Sequence, residues 1–135
     1  LSISGTKTVI VYGILSASAV AAEKIYGIFG HGVTSPAMTW MFLYPLLGGV
    51  ALSLALLKFL PRIYHTPGFR IWYNLYNSGI AALTAGSFLK GVYEIAGAST
   101  GSAGIFMIAG ALMSASGILG GTLSASLDKT KRIEN

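Results

Sequence analysis

Residues 71–97, IWYNLYNSGIAALTAGSFLKGVYEIAG, form an apolar run long enough to cross a bilayer, and three further runs of similar length fill most of the chain. About 20 apolar residues in a helix span the ~30 Å hydrocarbon layer. Four crossings are expected, at about 8–29, 38–60, 71–96 and 105–127. Barrel strands would alternate in polarity over ~10 residues, and these runs do not. Only 10% of the 135 residues are charged, 53% are hydrophobic and the mean hydropathy is +0.69. A water-soluble domain carries roughly 25% charged residues. The sequence therefore predicts an all-α, polytopic membrane protein with a single four-helix transmembrane domain over 1–135, and too little chain remains for a separate soluble domain.

Breaks between the runs are local. Gly30, His31, Gly32 and the Ser35-Pro36 pair end the first, because glycine and proline disfavour helix continuation. Pro61 and Pro67 bracket a short polar connector, and residues 98–104, ASTGSAG, make a small-residue linker. Pro45 lies early in the second run and is expected to bend it, since proline lacks a backbone donor. The opening, Lys7 then VIVYGIL then SASAVAA, has the outline of a signal peptide. Its apolar character continues past Glu23-Lys24 into IYGIF, so a retained span is expected.

Basic residues set the orientation. With four crossings, one side holds Lys7, Lys58, Arg62, Arg70, Lys129, Lys131 and Arg132, and the other only Lys24 and Lys90. Positive residues favour the cytoplasmic side, so both termini are expected in the cytoplasm, with the protein in the cell membrane. The net charge of +5 is explained by these flanks, and nucleic acid is not expected as a partner.

Aligning Gly13 with Gly79 also aligns Lys24 with Lys90, and each lysine precedes an aromatic–apolar turn that ends in glycine. Two explanations stay open: duplication of a two-span hairpin, giving a parallel repeat, or the similar composition of Gly/Ala-rich helices. Small residues also set helix packing. Gly110, Ser114, Gly117, Gly121 and Ser124 repeat at heptad spacing, and the other spans carry shorter seams such as Gly79, Ala82 and Gly86. In lipid, close approach through small residues replaces the missing hydrophobic drive for association. These seams pack the chain on itself or join it to other subunits, so a homo-oligomer or a place in a larger membrane complex is expected.

Glu23 and Lys24 lie roughly 7–10 Å from the midplane on ~1.5 Å per residue, with Lys90 at similar depth and Glu94 one turn beyond. A lone ion at the bilayer centre costs ~2.5–3.5 kcal/mol on the insertion scale, so mutual neutralisation is expected. Lys90 and Glu94 are spaced i, i+4; Glu23 is placed to reach Lys90, and Lys24 to reach Glu94. Two readings follow: an outward-facing polar chamber for a small polar or ionic solute, or a salt-bridged cluster that locks two helices. Asn74 and Asn77 suit hydrogen bonds between helices. Trp40, Tyr44, Trp72, Tyr73 and Tyr76 suit interfacial belts.

Catalysis has little support. There is no cysteine, no HExxH and no phosphate-gripping glycine loop. His31 and His65 are expected on opposite sides of the bilayer, so one chain cannot supply both axial ligands of a haem. No metal site or cofactor is expected, and a haem- or quinone-associated electron-transfer subunit is a remote alternative.

Residues 31–49, HGVTSPAMTWMFLYPLLGG, and 76–97, YNSGIAALTAGSFLKGVYEIAG, resemble a group of small, uncharacterised four-span proteins of Gram-positive bacteria. That resemblance implies membrane location and span count, and no activity. The sequence thus predicts a non-enzymatic transport or permeation protein with a chamber formed by Glu23, Lys24, Lys90 and Glu94. The alternative is an accessory or structural subunit of a larger membrane complex.

Overall fold

The computed structural model describes residues 3–99 and 101–134, and it is helical throughout, with no strand among the described residues. Helix α1 covers Ile3–Phe29. It stops where predicted: Gly30 N–H donates to the Tyr26 carbonyl at 2.8 Å and Gly32 N–H to Gly27 at 3.1 Å. His31 and Gly32 adopt the left-handed conformation, at φ +53° and +85°. Ser35 then caps the short helix α2, Pro36–Thr39, by accepting a hydrogen bond from Met38 N–H at 3.4 Å. Pro36 occupies the first turn, where its missing donor costs nothing.

The second apolar run is not one regular helix bent at Pro45. After α2 the chain turns through residues 40–43, forms a π-helical segment over Tyr44–Ala51, and only then a regular helix, α3, over Leu52–Phe59. Pro45 removes a donor from the first turn, and the wider helix accommodates that gap. Gly48 and Gly49 bring this wide backbone against its neighbours. A Cβ on Gly49 would stand 2.1 Å from the Tyr12 ring, and one on Gly48 would stand 2.6 Å from Ile80 Cδ1.

Leu60 leaves helical geometry ahead of Pro61, as pre-proline sterics demand. A 3-10 turn, Pro61–His65, leads through left-handed Gly68 into α4, Phe69–Ile95. Gly97 at φ +68° closes α4, with Ala98 N–H donating to the Tyr93 carbonyl at 2.9 Å. Helix α5, Ser102–Glu134, runs well past the expected end at 127. The charged tail continues the helix because it lacks glycine and proline, and Asp128 and Arg132 pair across one turn at 3.3 Å. The two ends of the molecule are called the terminal end, which carries the start of α1 and the 61–65 turn, and the loop end, which carries residues 30–35 and 96–101.

Helix α4 is the centre of the arrangement. The α2 turn lies on it at Gly91, where a Cβ would meet Met38 Cβ at 2.6 Å. Tyr12, Tyr76 and Ile80 form one buried cluster; Ala19, Met38 and Met41 form another nearer the loop end. Helix α5 packs almost wholly on α4. Gly110, Ser114, Gly117, Gly120 and Gly121 are buried in that contact. A Cβ on Gly117 would lie 2.6 Å from Tyr76 Cβ, and one on Gly120 would lie 2.0 Å from the Trp72 ring. The heptad seam is thus used inside the chain, and Trp72 packs into it rather than serving only as a belt residue. The result is a three-segment cluster of α1, residues 36–59 and α4, with α5 applied to the far side of α4.

Three helical segments, Gly5–Phe29, Pro36–Phe59 and Ser102–Glu134, are long and apolar enough to cross a membrane. Their outward faces carry Ile14, Ile28, Phe29, Ile105, Leu112 and Leu127, all more than half exposed. Apolar surface on this scale is compatible with a membrane-embedded protein. Helix α4 is as long as α1 but more polar, with Arg70, Asn74, Asn77, Ser78, Lys90 and Glu94 along it. Its neighbours supply partners for two of these groups, Asn77 and Glu94.

Candidate functional site

The four charged residues near the loop end separate into two pairs, each within its own helix. Lys24 Nζ lies 3.2 Å from the adjacent Glu23 carboxylate, and Lys90 Nζ lies 3.9 Å from Glu94. Among the described residues no ion pair joins Glu23 to Lys90 or Lys24 to Glu94. The Lys24 side chain is 75% exposed and swings outward, while that of Glu23 is 15% exposed. Lys90 and Glu94, with Tyr93, Ala98, Ser99 and Ala103, line a cavity of about 200 Å³ between the end of α4 and the start of α5. Glu23 and Lys24 do not line it.

Glu94 has a second partner, one that sequence reasoning missed. The Ser35 hydroxyl donates to its carboxylate. Ser35 is 2% exposed and also caps α2, so one side chain fastens the α2 turn to the last turn of α4. The Ser-Pro pair signals a cap in the sequence; the carboxylate partner 59 positions away carries no such signal. Ser35→Ala is expected to lower stability by about 1–2 kcal/mol, combining a lost cap with a lost bond to a half-exposed charged acceptor. Lys90→Met, which removes only an exposed ion pair, is expected to change stability by less than about 0.5 kcal/mol. Thermal unfolding of both variants in one detergent checks the contrast.

Tyrosine hydroxyls tie the middle of the molecule together. Tyr12 donates to the Asn77 side-chain oxygen at 2.6 Å, joining α1 to α4. Tyr76 donates to the Gly48 carbonyl at 2.7 Å, and Tyr73 and Ser53 share a hydrogen bond at 3.0 Å. Tyr73 and Tyr76 are therefore joints between helices as well as aromatic residues near one end. Asn77 takes part in this set. Asn74, by contrast, is exposed and lines a cavity at the terminal end.

That cavity, about 380 Å³, opens between the start of α1, the 61–65 turn and α4. Thr8, His65, Arg70, Tyr73, Asn74 and Asn77 contribute to its wall. Tyr64 packs edge-on against Phe69 and Tyr73 at 6.0 and 5.6 Å between centroids, and burial pushes its phenol pKa up, so it remains neutral at physiological pH. His31 is at the loop end and His65 at the terminal end, on different elements. Among the described residues no three His, Asp or Glu side chains come together as metal ligands.

Comparison with protein-family models, with curated proteins and with solved structures found no match. The resemblance of residues 31–49 and 76–97 to small four-span proteins therefore carries no fold or activity into the argument, and function rests on the geometry alone.

Proposed function

We propose that this chain is a non-enzymatic, multi-pass protein of the cytoplasmic membrane, that α4 makes the fourth crossing, and that it serves as an accessory subunit of a larger membrane assembly. One observation carries this choice over permeation: among the described residues no polar path joins the two ends, because the space between α1 and α4 past Tyr12 is walled almost wholly by apolar side chains. Tyr12, Tyr76 and Ile80 at one level and Ala19, Met38 and Met41 at another are buried against each other. The polar cavities lie at opposite ends, and these clusters stand between them. The polar groups of α4 support its crossing. Asn77, Glu94 and Tyr76 have partners on neighbouring segments, which lowers the cost of placing them in hydrocarbon. The excess of Lys and Arg at the terminal end supports cytoplasmic termini.

A second reading, permeation of a small polar or ionic solute by a self-contained homo-oligomer, is favoured by the charged cavity at Lys90 and Glu94. Native mass spectrometry of the protein released gently from its own membrane separates the two. The accessory reading expects a species in which this 14.0 kDa chain accompanies other chains. A species at an integral multiple of 14.0 kDa, with solute flux lost in Lys90→Met, would replace it with the second.

A further inference from the structure

The crevice between α1 and α4 is polar and basic at one end and apolar along the rest. At the terminal end lies the cavity walled by Thr8, His65, Arg70 and Asn77. Beside it, a cavity of about 390 Å³ shares Thr8 and Asn77 and adds Lys7, Tyr12 and Leu15. Tyr12 and Leu15 continue into a third cavity, about 310 Å³, that ends at Ala22 and Phe88. Shared walls make these one groove. From Asn74 to Phe88 it follows α4 for about 21 Å on ~1.5 Å per residue. One leaflet's hydrocarbon is ~15 Å deep, half of the ~30 Å core, so the groove reaches from headgroup level through a leaflet.

Its chemistry changes along that length. Lys7, Arg70 and the His65 imidazole stand at the terminal end, and Asn77 lies on the wall shared by the two cavities there. No carboxylate lines any of the three cavities. The chain has four acids: Glu23 and Glu94 belong to the loop end, Asp128 pairs with Arg132, and Glu134 ends α5. Among the described residues neither Lys7 nor Arg70 forms an ion pair. Beyond Tyr12 the walls hold no charged side chain; Ala81 and Ala85 on α4 keep the groove wide, and Phe88 closes it. Tyr12, held to Asn77 at 2.6 Å and seated on Gly49, forms its floor.

We propose that this groove binds an anionic glycerophospholipid of the leaflet at the terminal end, with the headgroup phosphate at Lys7, His65 and Arg70 and an acyl chain between α1 and α4. A free phosphate would satisfy the cations and leave the apolar length unused, and a zwitterionic lipid would bring an ammonium to a basic site that has no carboxylate to receive it. Basic pockets between membrane helices at the cytoplasmic face are suited to anionic headgroups. The inference rests on the membrane reading above and is independent of whether the protein is a subunit or a permeation protein.

The test uses the full chain in detergent micelles containing equal phosphatidylglycerol and phosphatidylcholine, with native mass spectrometry as the readout. Retention of one phosphatidylglycerol in preference to phosphatidylcholine is expected. The double variant Lys7→Gln/Arg70→Gln should lower that retention about tenfold or more, the scale of two charges near a membrane surface. Ala85→Trp, which fills the apolar part, should release the lipid with the basic end intact. Lys131→Gln/Arg132→Gln in the tail should leave retention unchanged. Equal retention of both lipids, equal loss in the tail variant, or displacement of the lipid by inorganic phosphate would each overturn the proposal. Single cysteines at Thr66 and Ser99, introduced into this cysteine-free chain and labelled from one side of the membrane, test the membrane reading separately. Labelling of both from one side would remove the α4 crossing, whereas opposite-side labelling without lipid retention would defeat the groove alone.

Discussion

Gly79→Leu is expected to detach α5 from α4. At Gly79 even a Cβ would stand 2.3 Å from Ser114 Oγ, 2.5 Å from the Ser114 backbone nitrogen and 2.8 Å from the Gly110 carbonyl oxygen. Two of these are backbone atoms, which cannot rotate away, so the helices must separate. Overpacking by a methylene or two costs about 1–3 kcal/mol where side chains can adjust. Here four carbons meet a fixed backbone, so the loss should exceed that range. The contact depends on close approach: on the membrane reading proposed above it has no hydrophobic drive to hold it at a larger spacing. The expected result is a large fall in Tm in detergent, with protease cleavage in residues 96–101 releasing α5. Gly104→Leu is the control, since nothing lies within 4 Å of a Cβ there. Equal stability of the two variants would mean that α4 and α5 are not joined through Gly79.

Gly49→Leu is expected to have the second largest effect, and for a different reason. The obstruction is a side chain: the Tyr12 ring, 2.1 Å from a Cβ built at Gly49. The ring must leave its place. That breaks its hydrogen bond to Asn77 and opens the cluster it forms with Tyr76 and Ile80. Loss of a packed aromatic from a core costs about 3–5 kcal/mol, and a destabilisation of about 3 kcal/mol or more is expected. Because the obstacle is one side chain, it can be removed. Tyr12→Ala in the Gly49→Leu background should restore a substantial part of the loss, although Tyr12→Ala alone is destabilising. A double-mutant cycle in unfolding free energy measures this coupling directly. Simple additivity of the two changes would show that the ring does not sit on Gly49.

Much of the element plan was legible in the sequence. The turn at Gly30–Ser35, the Pro61–Pro67 connector and the linker beyond Ala96 all lie where glycine and proline make helix continuation costly. The π-helical segment was not legible as such. Pro45 announced an irregularity, but its form depends on how closely residues 48–49 approach Tyr12 and Ile80. The candidate sites were legible in part. Glu23, Lys24, Lys90 and Glu94 were visible as charges in apolar runs, and the Lys90–Glu94 pair followed from its i, i+4 spacing, whereas whether Glu23 and Lys24 reach across to that pair depends on the rotation of each helix about its axis. The same rotation brings Ser35 to Glu94 and Tyr12 to Asn77, contacts across 59 and 65 positions.

The sequence alone determined an all-helical chain and its main breaks, at residues 30–35, 61–67 and beyond Ala96, because those depend on backbone chemistry within a few residues and on apolar content within one run; it did not give the full length of α5 or the division of the second run. The tertiary structure decided which faces meet. It turned the Gly110–Gly121 seam onto α4 instead of outward, paired the hydroxyls of Tyr12, Ser35 and Tyr76 with distant residues, and left a groove between α1 and α4 with cations at one end. Such outcomes follow from distances between residues far apart in the chain, which no local pattern encodes.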